Sequence, residues 1–471
     1  MELIAPVSGR TPINIQGSKT AAEIAQINQD IADGLVTHSP GTPITLSAND
    51  SSNGTVYRLL GVGRSASFSA VSATASSLAP FKKTGSFVTK QSAGAVATGL
   101  TAGYSSVEQK PLDIYPFYGM YITLINYGSA PYTLDLVKVA GSPTDLNNGA
   151  ALAWLTVLFG GIQSVTVPGY TQNPNGVAAN NRIPGMVRSD FIPLSAVART
   201  DTPGDPYLLH LRAFGAGAMS VFGGPISRTN SSVPYLFNRG YKYGWTQATV
   251  DVVTAPGAVT MTGTTALGVI GHVELMTGKD HFSLAAFGDS LTACYSGTAD
   301  GGQLGWCNIL DYNMRSKGII GGVANYAVGG MTQSAFLQTM KAVCTLNKPA
   351  VAFFSSFSPN SSASTQANWD AQYGATLEAV NWCKAQGIEP IVSTAMPLDG
   401  QTAPQAAFRI AFNARLMTDL AKVCRVWDFA TVIADPADPT KMLPAYNYDS
   451  IHQSPAGQEA IAAYVSLQLG L

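Results

Sequence analysis

From about residue 120 the apolar and polar positions fall into short, strand-like runs. Tyr121-Ile122-Thr123-Leu124-Ile125-Asn126-Tyr127 is β-branched and aromatic, Gly128 and Pro131 mark a turn, and Leu134, Leu136 and Val139 punctuate the next run, a pattern typical of strands. Residues 164–167 and 207–214 read as further strands. Residues 170–185, full of Asn, Pro and Gly, read as a long loop. Short strands separated by turn signals predict a β-sandwich or jelly roll. Residues 40–110 are rich in Ser, Ala, Gly and Thr with little periodicity, and predict short strands and loops. Ahead of them Ile24, Ile27, Ile31 and Leu35 recur every three or four positions, predicting a helix over residues 19–35. A helix this short is marginal alone, so it must pack on its own domain or bundle with copies of itself.

Near residue 275 the pattern changes. A strand over 281–287 leads into Gly288. A helix over 368–386 closes at Gly387, and a strand over 391–395 follows. Then come a helix over 405–424, a strand over 426–429 and a final helix over 455–469. Strands alternating with long helices predict an α/β layer fold around a mainly parallel sheet. No repeat of 20 to 50 residues is present, which excludes a solenoid. Three regions follow: an irregular segment with the short helix over 1–45, a β-rich accessory region over 46–278, and an α/β domain over 279–471.

Composition narrows the function classes. Charged residues make up 12% of the chain and the formal net charge is −1, about half the usual charged share. A chain this neutral has no long-range field with which to gather nucleic acid or anionic lipid. No apolar run approaches the roughly 20 residues that span a bilayer, and Met1–Arg10 has no basic-then-apolar ramp of a signal peptide. Gly, Ser, Thr, Ala and Asn fill the missing charge, which suits an extracellular or virion surface, with a cytoplasmic location as the alternative. The five cysteines, Cys294, Cys307, Cys344, Cys383 and Cys424, all lie in the α/β part without a CxxC pair. Buried thiols are expected rather than a zinc site or a disulfide scaffold, with a Cys294–Cys307 bridge left open. Neither a cofactor nor a metal site is expected.

The chemistry gathers at two short segments. The strand ending in Ala285-Ala286-Phe287 runs into Gly288-Asp289-Ser290-Leu291-Thr292, and ligands sit beyond the carboxyl ends of strands in an open parallel sheet. A serine there needs a base, most often a histidine held in one tautomer by a carboxylate. Of the five histidines, His38, His210, His272, His281 and His452, only His452 stands on a loop before a helix in the α/β part. Asp449 lies three residues ahead of it, within reach of its Nδ1.

These blocks resemble the SGNH hydrolases, or GDSL esterase/lipase superfamily, over residues 282–471. The nucleophile block is Gly288-Asp289-Ser290-Leu291. Asn325-Tyr326-Ala327-Val328-Gly329-Gly330-Met331-Thr332 is similar to the family's N-x-x-x-x-G-x-T block, which aligns Gly330 with the oxyanion-hole glycine and leaves Gly329 as a fallback. The apolar run Val351-Ala352-Phe353-Phe354 precedes Asn360, which takes the asparagine role, although Ser358 and Ser361 stand where the family's G-x-N-D has Gly and Asp. Asp449-x-x-His452 closes the set. The resemblance implies a three-layer, flavodoxin-like α/β hydrolase domain, with Ser290, His452 and Asp449 catalytic. Ser290 N–H, Gly330 N–H and the Asn360 amide then form the oxyanion hole. There is no G-x-S-x-G, the elbow of α/β-hydrolases.

The expected function is a serine esterase acting on acyl, above all acetyl, esters of a carbohydrate, as in a viral tail protein that deacetylates host polysaccharide. The alternatives are a lipase or thioesterase of the same family and a structural or receptor-binding virion protein with a vestigial hydrolase domain. The expected partner is an acylated carbohydrate, without nucleic acid or membrane insertion, and the N-terminal helix suggests a homo-trimer. Asp289 is expected to fix the turn rather than react. Trp306, Tyr295, Tyr446 and Tyr448 are candidates for cleft or core, Asp300 and Asp311 for surface, and His38 and His210 for structural roles. Tyr170, Tyr235, Tyr241, Tyr243 and Trp245 are candidates for a sugar platform.

Overall fold

A computed structural model describes residues 118–126, 128–142, 153–172, 182–193, 208–216, 270–293 and 305–471, with short strands between residues 2 and 111 and between 219 and 268. The expected helix over 19–35 lies outside the described residues. The chain divides into two compact units, essentially residues 1–80 and 81–469. In the first, Glu2–Leu3 pairs with Ile13–Asn14 and Val56–Leu60 pairs with Ser67–Val71, both antiparallel.

The strands that organise the second unit are β1 (Lys82–Thr89), β2 (Tyr104–Pro111), β3 (Gly119–Asn126), β4 (Leu136–Ser142), β5 (Leu208–Gly215), β6 (Ile270–Phe287), β7 (Gly321–Asn325), β8 (Val351–Ser355), β9 (Glu389–Ser393) and β10 (Arg425–Trp427). Its helices are α1 (Ser290–Ala293), α2 (Trp306–Ser316), α3 (Gln333–Leu346), α4 (Gln366–Ala385), α5 (Ala403–Thr418), α6 (Phe429–Ile433) and α7 (Pro455–Leu469).

The 18-residue β6 belongs to two kinds of sheet at once. Its first half runs antiparallel to β3 on one side and β1 on the other. Its last residues run parallel to β7 and β8. The parallel part continues through β9 and β10. With β6 as the first parallel strand, the order is 2-1-3-4-5, the flavodoxin-like arrangement. The sequence reason lies along β6 itself. Val273 and Leu275 enter one apolar core while Glu274 between them pairs with Arg188 at 2.8 Å, the two-residue alternation of a sheet. Phe282 to Phe287 is buried throughout, as a central parallel strand requires. The junction expected at 278/279 falls inside this strand, where its register against β1 shifts between Thr277 and His281.

In the β-rich part, Met120, Ile122 and Leu124 of β3 share a buried cluster with Val137 and Val139 of β4, Leu211 and Ala213 of β5, and Val273 and Leu275 of β6. Strands β4, β5 and β2 form an antiparallel sheet. Within the α/β part, adjacent side chains of β8 point to opposite faces. Phe354 joins the cluster that includes Phe336 and Met340 of α3, Trp369 of α4 and Phe412 of α5. Phe353 meets Trp306 of α2 at 4.9 Å, Trp427 at 5.4 Å and Phe429 of α6 at 5.6 Å. Helices therefore cover both faces of the parallel sheet, giving three layers. The amphipathic run expected to be one helix over 405–424 ends at Thr418, and a short 3-10 turn, Leu420–Lys422, carries the chain into β10. Cys307, Cys344, Cys383 and Cys424 are buried thiols, and Cys294 lies outside the described residues. Among the described residues no helix is long and apolar enough to cross a membrane.

Trp306 is 1% exposed and sits edge-on to Phe353, Trp427 and Phe429. It is core, not cleft. Trp306→Ala is expected to lower stability by about 3–5 kcal/mol, read from the urea midpoint. A loss under about 1 kcal/mol would contradict this placement.

Candidate active site

Three neighbouring parallel strands, β7, β6 and β8, release their carboxyl ends side by side; Gly330, Ser290 and Asn360 follow those ends, and Asp449 and His452 come from the loop before α7. After β6 the chain turns at Gly288, where an added Cβ would lie 2.3 Å from Thr292 Oγ1 and 2.7 Å from Thr292 Cβ. Only glycine lets α1 close back this tightly. Asp289 holds the turn: its Oδ1 accepts the Leu291 N–H at 2.9 Å, and its carbonyl accepts from Thr292 and Ala293. The side chain is fully buried, and Oδ2 has no hydrogen-bond partner. Burial pushes this carboxyl up to about 6 from its ordinary 3.8, against the pull of the nearby Ser358 hydroxyl, the Leu291 N–H and the charge of His452. Asp289 thus shapes the turn and does not meet the histidine through a hydrogen bond.

Ser290 opens α1 and is half-buried. Its Oγ lies 2.9 Å from His452 Nε2, and His452 Nδ1 lies 2.7 Å from Asp449 Oδ2. These distances fit one proton arrangement, in which Nδ1–H donates to the carboxylate and Nε2 accepts from the hydroxyl. Asp449 is also tied into its own loop, its Oδ1 accepting the N–H of His452 at 2.7 Å and of Ile451 at 3.1 Å. Partial burial works to raise the Asp449 carboxyl, but these N–H groups and the His452 side chain outweigh it and hold the group below the ordinary carboxylate range. Asp449 therefore stays ionised at neutral pH.

The loop that carries this pair is braced on every side. Ser450, directly after Asp449, takes φ +75°, a conformation uncommon for a residue with a side chain. Asn447 Oδ1 accepts the Ser450 N–H at 2.7 Å, the Asp399 carboxylate accepts from Asn447 Nδ2, and the Asp399 N–H donates to the Ser450 carbonyl at 3.0 Å. Beyond His452, buried Gln453 accepts from Gln458 at 3.0 Å, and Gln458 accepts the Trp306 N–H at 3.1 Å. The histidine loop, α7 and the start of α2 are so joined. Asp399, Asn447 and Gln453 carry no sequence signal of this role, because their partners are brought near only by the fold.

The oxyanion candidates lie on the loops after β7 and β8. Asn325 ends β7 and donates to the Thr292 carbonyl at 2.9 Å while accepting the Ala327 N–H at 3.0 Å. Val328 N–H donates to the Gly288 carbonyl at 3.2 Å. The glycine loop is thereby stitched to the Gly288–Thr292 turn. Gly330 has φ +78°, a left-handed position that favours glycine. Among the described residues, the N–H groups of Ser290 and Gly330 take no part in the backbone hydrogen bonds that hold these loops. Asn360 leans on the same loop, its Nδ2 donating to the Met331 carbonyl at 3.1 Å.

Other expected residues fall elsewhere. Tyr448 is 47% exposed beside the histidine loop and Tyr446 is half-buried. Asp311, expected at the surface, accepts the Val323 N–H at 3.2 Å and ties α2 to β7. Tyr170 is half-buried. Tyr243 and Trp245 lie in a strand, Tyr243–Thr246, and His210 lies in β5, but their side chains are outside the described residues. Tyr295, Asp300, His38, Tyr235 and Tyr241 are outside them altogether. Among the described residues no cluster of His, Cys, Asp or Glu is placed to hold a metal.

Residues 284–465 match the family model described as GDSL-like lipase/acylhydrolase. No curated protein matches. Similar solved structures include a member of the lipolytic protein G-D-S-L family from Veillonella parvula, 17% identical, covering 39% of this chain and 96% of that one at a TM-score of 0.33. A lipase/acylhydrolase from Enterococcus faecalis is 18% identical over 40% of this chain and 94% of that one, at 0.32. A mutant of an acetyl-xylooligosaccharide esterase from Geobacillus is 15% identical over 40% and 94%, at 0.33.

The raised carboxyl of Asp289 sets a pH signature. Its pKa is 3.8 in the open chain and about 6 in the fold, so the native state holds the proton more tightly. The stability this contributes is full below about pH 4 and is lost as pH rises through 6, up to about 3 kcal/mol. Asp289→Asn keeps the acceptor for Leu291 and removes the titration. Urea unfolding at pH 4.5 and pH 7.5 is expected to show the variant gaining on the wild type as pH rises. A constant difference between the two would contradict it.

Proposed function

We propose, from the premise that the C-terminal part of this chain is a GDSL-like lipase/acylhydrolase domain, that the protein is a serine esterase removing acetyl groups from a carbohydrate. The observation that carries the reading is the unbroken hydrogen-bonded line Ser290 Oγ–His452 Nε2 and His452 Nδ1–Asp449 Oδ2, which stands beside loops bearing candidate oxyanion donors. A serine hydroxyl attacks a carbonyl only when a base takes its proton, and this line supplies the base and its orienting carboxylate.

The steps follow from that geometry. Ser290 Oγ attacks the ester carbonyl as its proton passes to His452 Nε2. Asp449 holds the imidazole in the accepting tautomer and stabilises the imidazolium. Charge that develops on the carbonyl oxygen is met by the N–H groups of Ser290 and Gly330 and the Asn360 amide; losing one such donor typically costs about 100- to 1000-fold in turnover. The imidazolium then protonates the leaving alcohol, and water, deprotonated by the same histidine, clears the acyl-enzyme.

Support for a neutral, hydroxyl-rich substrate comes from the low charge of the chain and from the hydroxyl-bearing rim formed by exposed Tyr448 and Ser450. In this reading the β-rich part is a sandwich-like module that positions the substrate, the protein works outside a cell or on a virion, and the N-terminal segment makes a trimer, which a solution mass equal to one chain would contradict.

Acetate release from a panel of acetylated glycans, together with p-nitrophenyl esters from acetyl to octanoyl, tests the function. Wild type is expected to prefer acetyl, and Ser290→Ala to lose at least about 1000-fold in kcat. Rates that rise toward octanoyl would favour a lipase or thioesterase of the same family. Release from no ester at all would leave a structural or receptor-binding protein with a vestigial hydrolase domain.

A further inference from the structure

We propose that Ser358 is the positioning residue of the oxyanion hole, its hydroxyl locking the Asn360 side chain to the loop that carries Gly330. The inference rests on the esterase reading above and concerns a position where this chain departs from the pattern it resembles, since Ser358 stands where the family block has glycine.

Asn360 lies on an irregular loop and is exposed, so nothing in a helix or strand fixes its rotamer. A flexible donor makes a poor oxyanion hole, because the ordering that orients it must then occur at the moment of reaction. Ser358 removes that freedom. It is fully buried. Its Oγ donates to the Met331 carbonyl at 2.8 Å and accepts from both the N–H and the Nδ2 of Asn360, at 3.2 and 3.3 Å. Asn360 Nδ2 also reaches the Met331 carbonyl at 3.1 Å. The two acceptors lie side by side, 2.8 Å apart, and hold Nδ2 by strongly bent contacts; in the proposal, one amide hydrogen is freed for the oxyanion when substrate binds. Met331 directly follows Gly330, so a single carbonyl anchors both donor loops.

A second contact runs in parallel. Ser361, the other departure from the pattern, accepts the Gln333 N–H at 3.0 Å, and the buried Gln333 side chain donates to the Ser356 carbonyl. The asparagine loop is therefore joined to the glycine loop and the start of α3 on both sides of Asn360, by Ser358 before it and Ser361 after it.

A double-mutant cycle on kcat for p-nitrophenyl acetate tests the assignment. Ser358→Ala is expected to lower kcat about 10- to 50-fold with KM within about twofold, and Asn360→Ala about 100-fold or more. Because Ser358 acts through Asn360, the double variant should be no slower than Asn360→Ala alone, within about twofold. Losses that multiply, or a Ser358→Ala variant within twofold of wild type, would overturn the proposal. If wild type hydrolyses no ester, the esterase reading fails, and the Asn360 side-chain amide NMR signals decide the positioning by themselves. Two well-separated proton shifts that converge or broaden in Ser358→Ala support it, and unchanged signals overturn it.

Discussion

The site depends on one constraint: the last residues of β6 must pair in parallel with a strand on each side. Phe282–Ala286 matches β7 while Leu284–Phe287 matches β8. Three chain segments therefore leave the sheet next to each other, and the carboxyl ends of parallel strands are where an open α/β sheet places its ligands. The tight exit at Gly288 and the stitch from Asn325 to Thr292 follow from that adjacency. The upstream half of β6 adds a second anchor, since its antiparallel pairing with β3 and β1 makes the strand that leads to Ser290 continuous with the β-rich part.

Two aspartates near the nucleophile show how environment assigns roles. Asp289, fully buried with one oxygen lacking a partner, is pushed toward neutrality. Asp449, partly exposed and ringed by N–H donors, is held ionised. Asp449 alone of the two is hydrogen-bonded to the imidazole, at 2.7 Å, so geometry favours it in the orienting role and leaves Asp289 to build the turn. The same division separates a group that shapes the site from one placed to take part in proton transfer.

The local features of the site are legible in the sequence because they are local in the chain. Asp449 and His452 share one turn of loop, and Gly288-Asp289-Ser290 sits between an apolar strand and a helix start. The alternation of β9, α5, β10 and α7 follows from apolar periodicity. What the sequence hides is contact between distant segments. Gly278-Lys279-Asp280 has the composition of a turn, yet it lies within β6 as an irregularity, because Thr277 before it and His281 after it both pair with β1. Trp306 stands near the nucleophile in sequence, but α2 turns it into the aromatic core. Gln333, Ser358 and Ser361 look like ordinary polar loop residues until the fold sets the two loops against each other. The sandwich expected for the β-rich part rests on short strands, which leave little pattern to read, and the helix expected over 19–35 lies outside the described residues.

The central claim is that His452 makes Ser290 a nucleophile. Intact-mass and peptide mass spectrometry after treatment with a fluorophosphonate measures this without any choice of substrate. The account predicts a single adduct on Ser290, with labelling at least about 100-fold slower in His452→Asn and absent in Ser290→Ala. Equal labelling rates in wild type and His452→Asn, or an adduct on another serine, would contradict it.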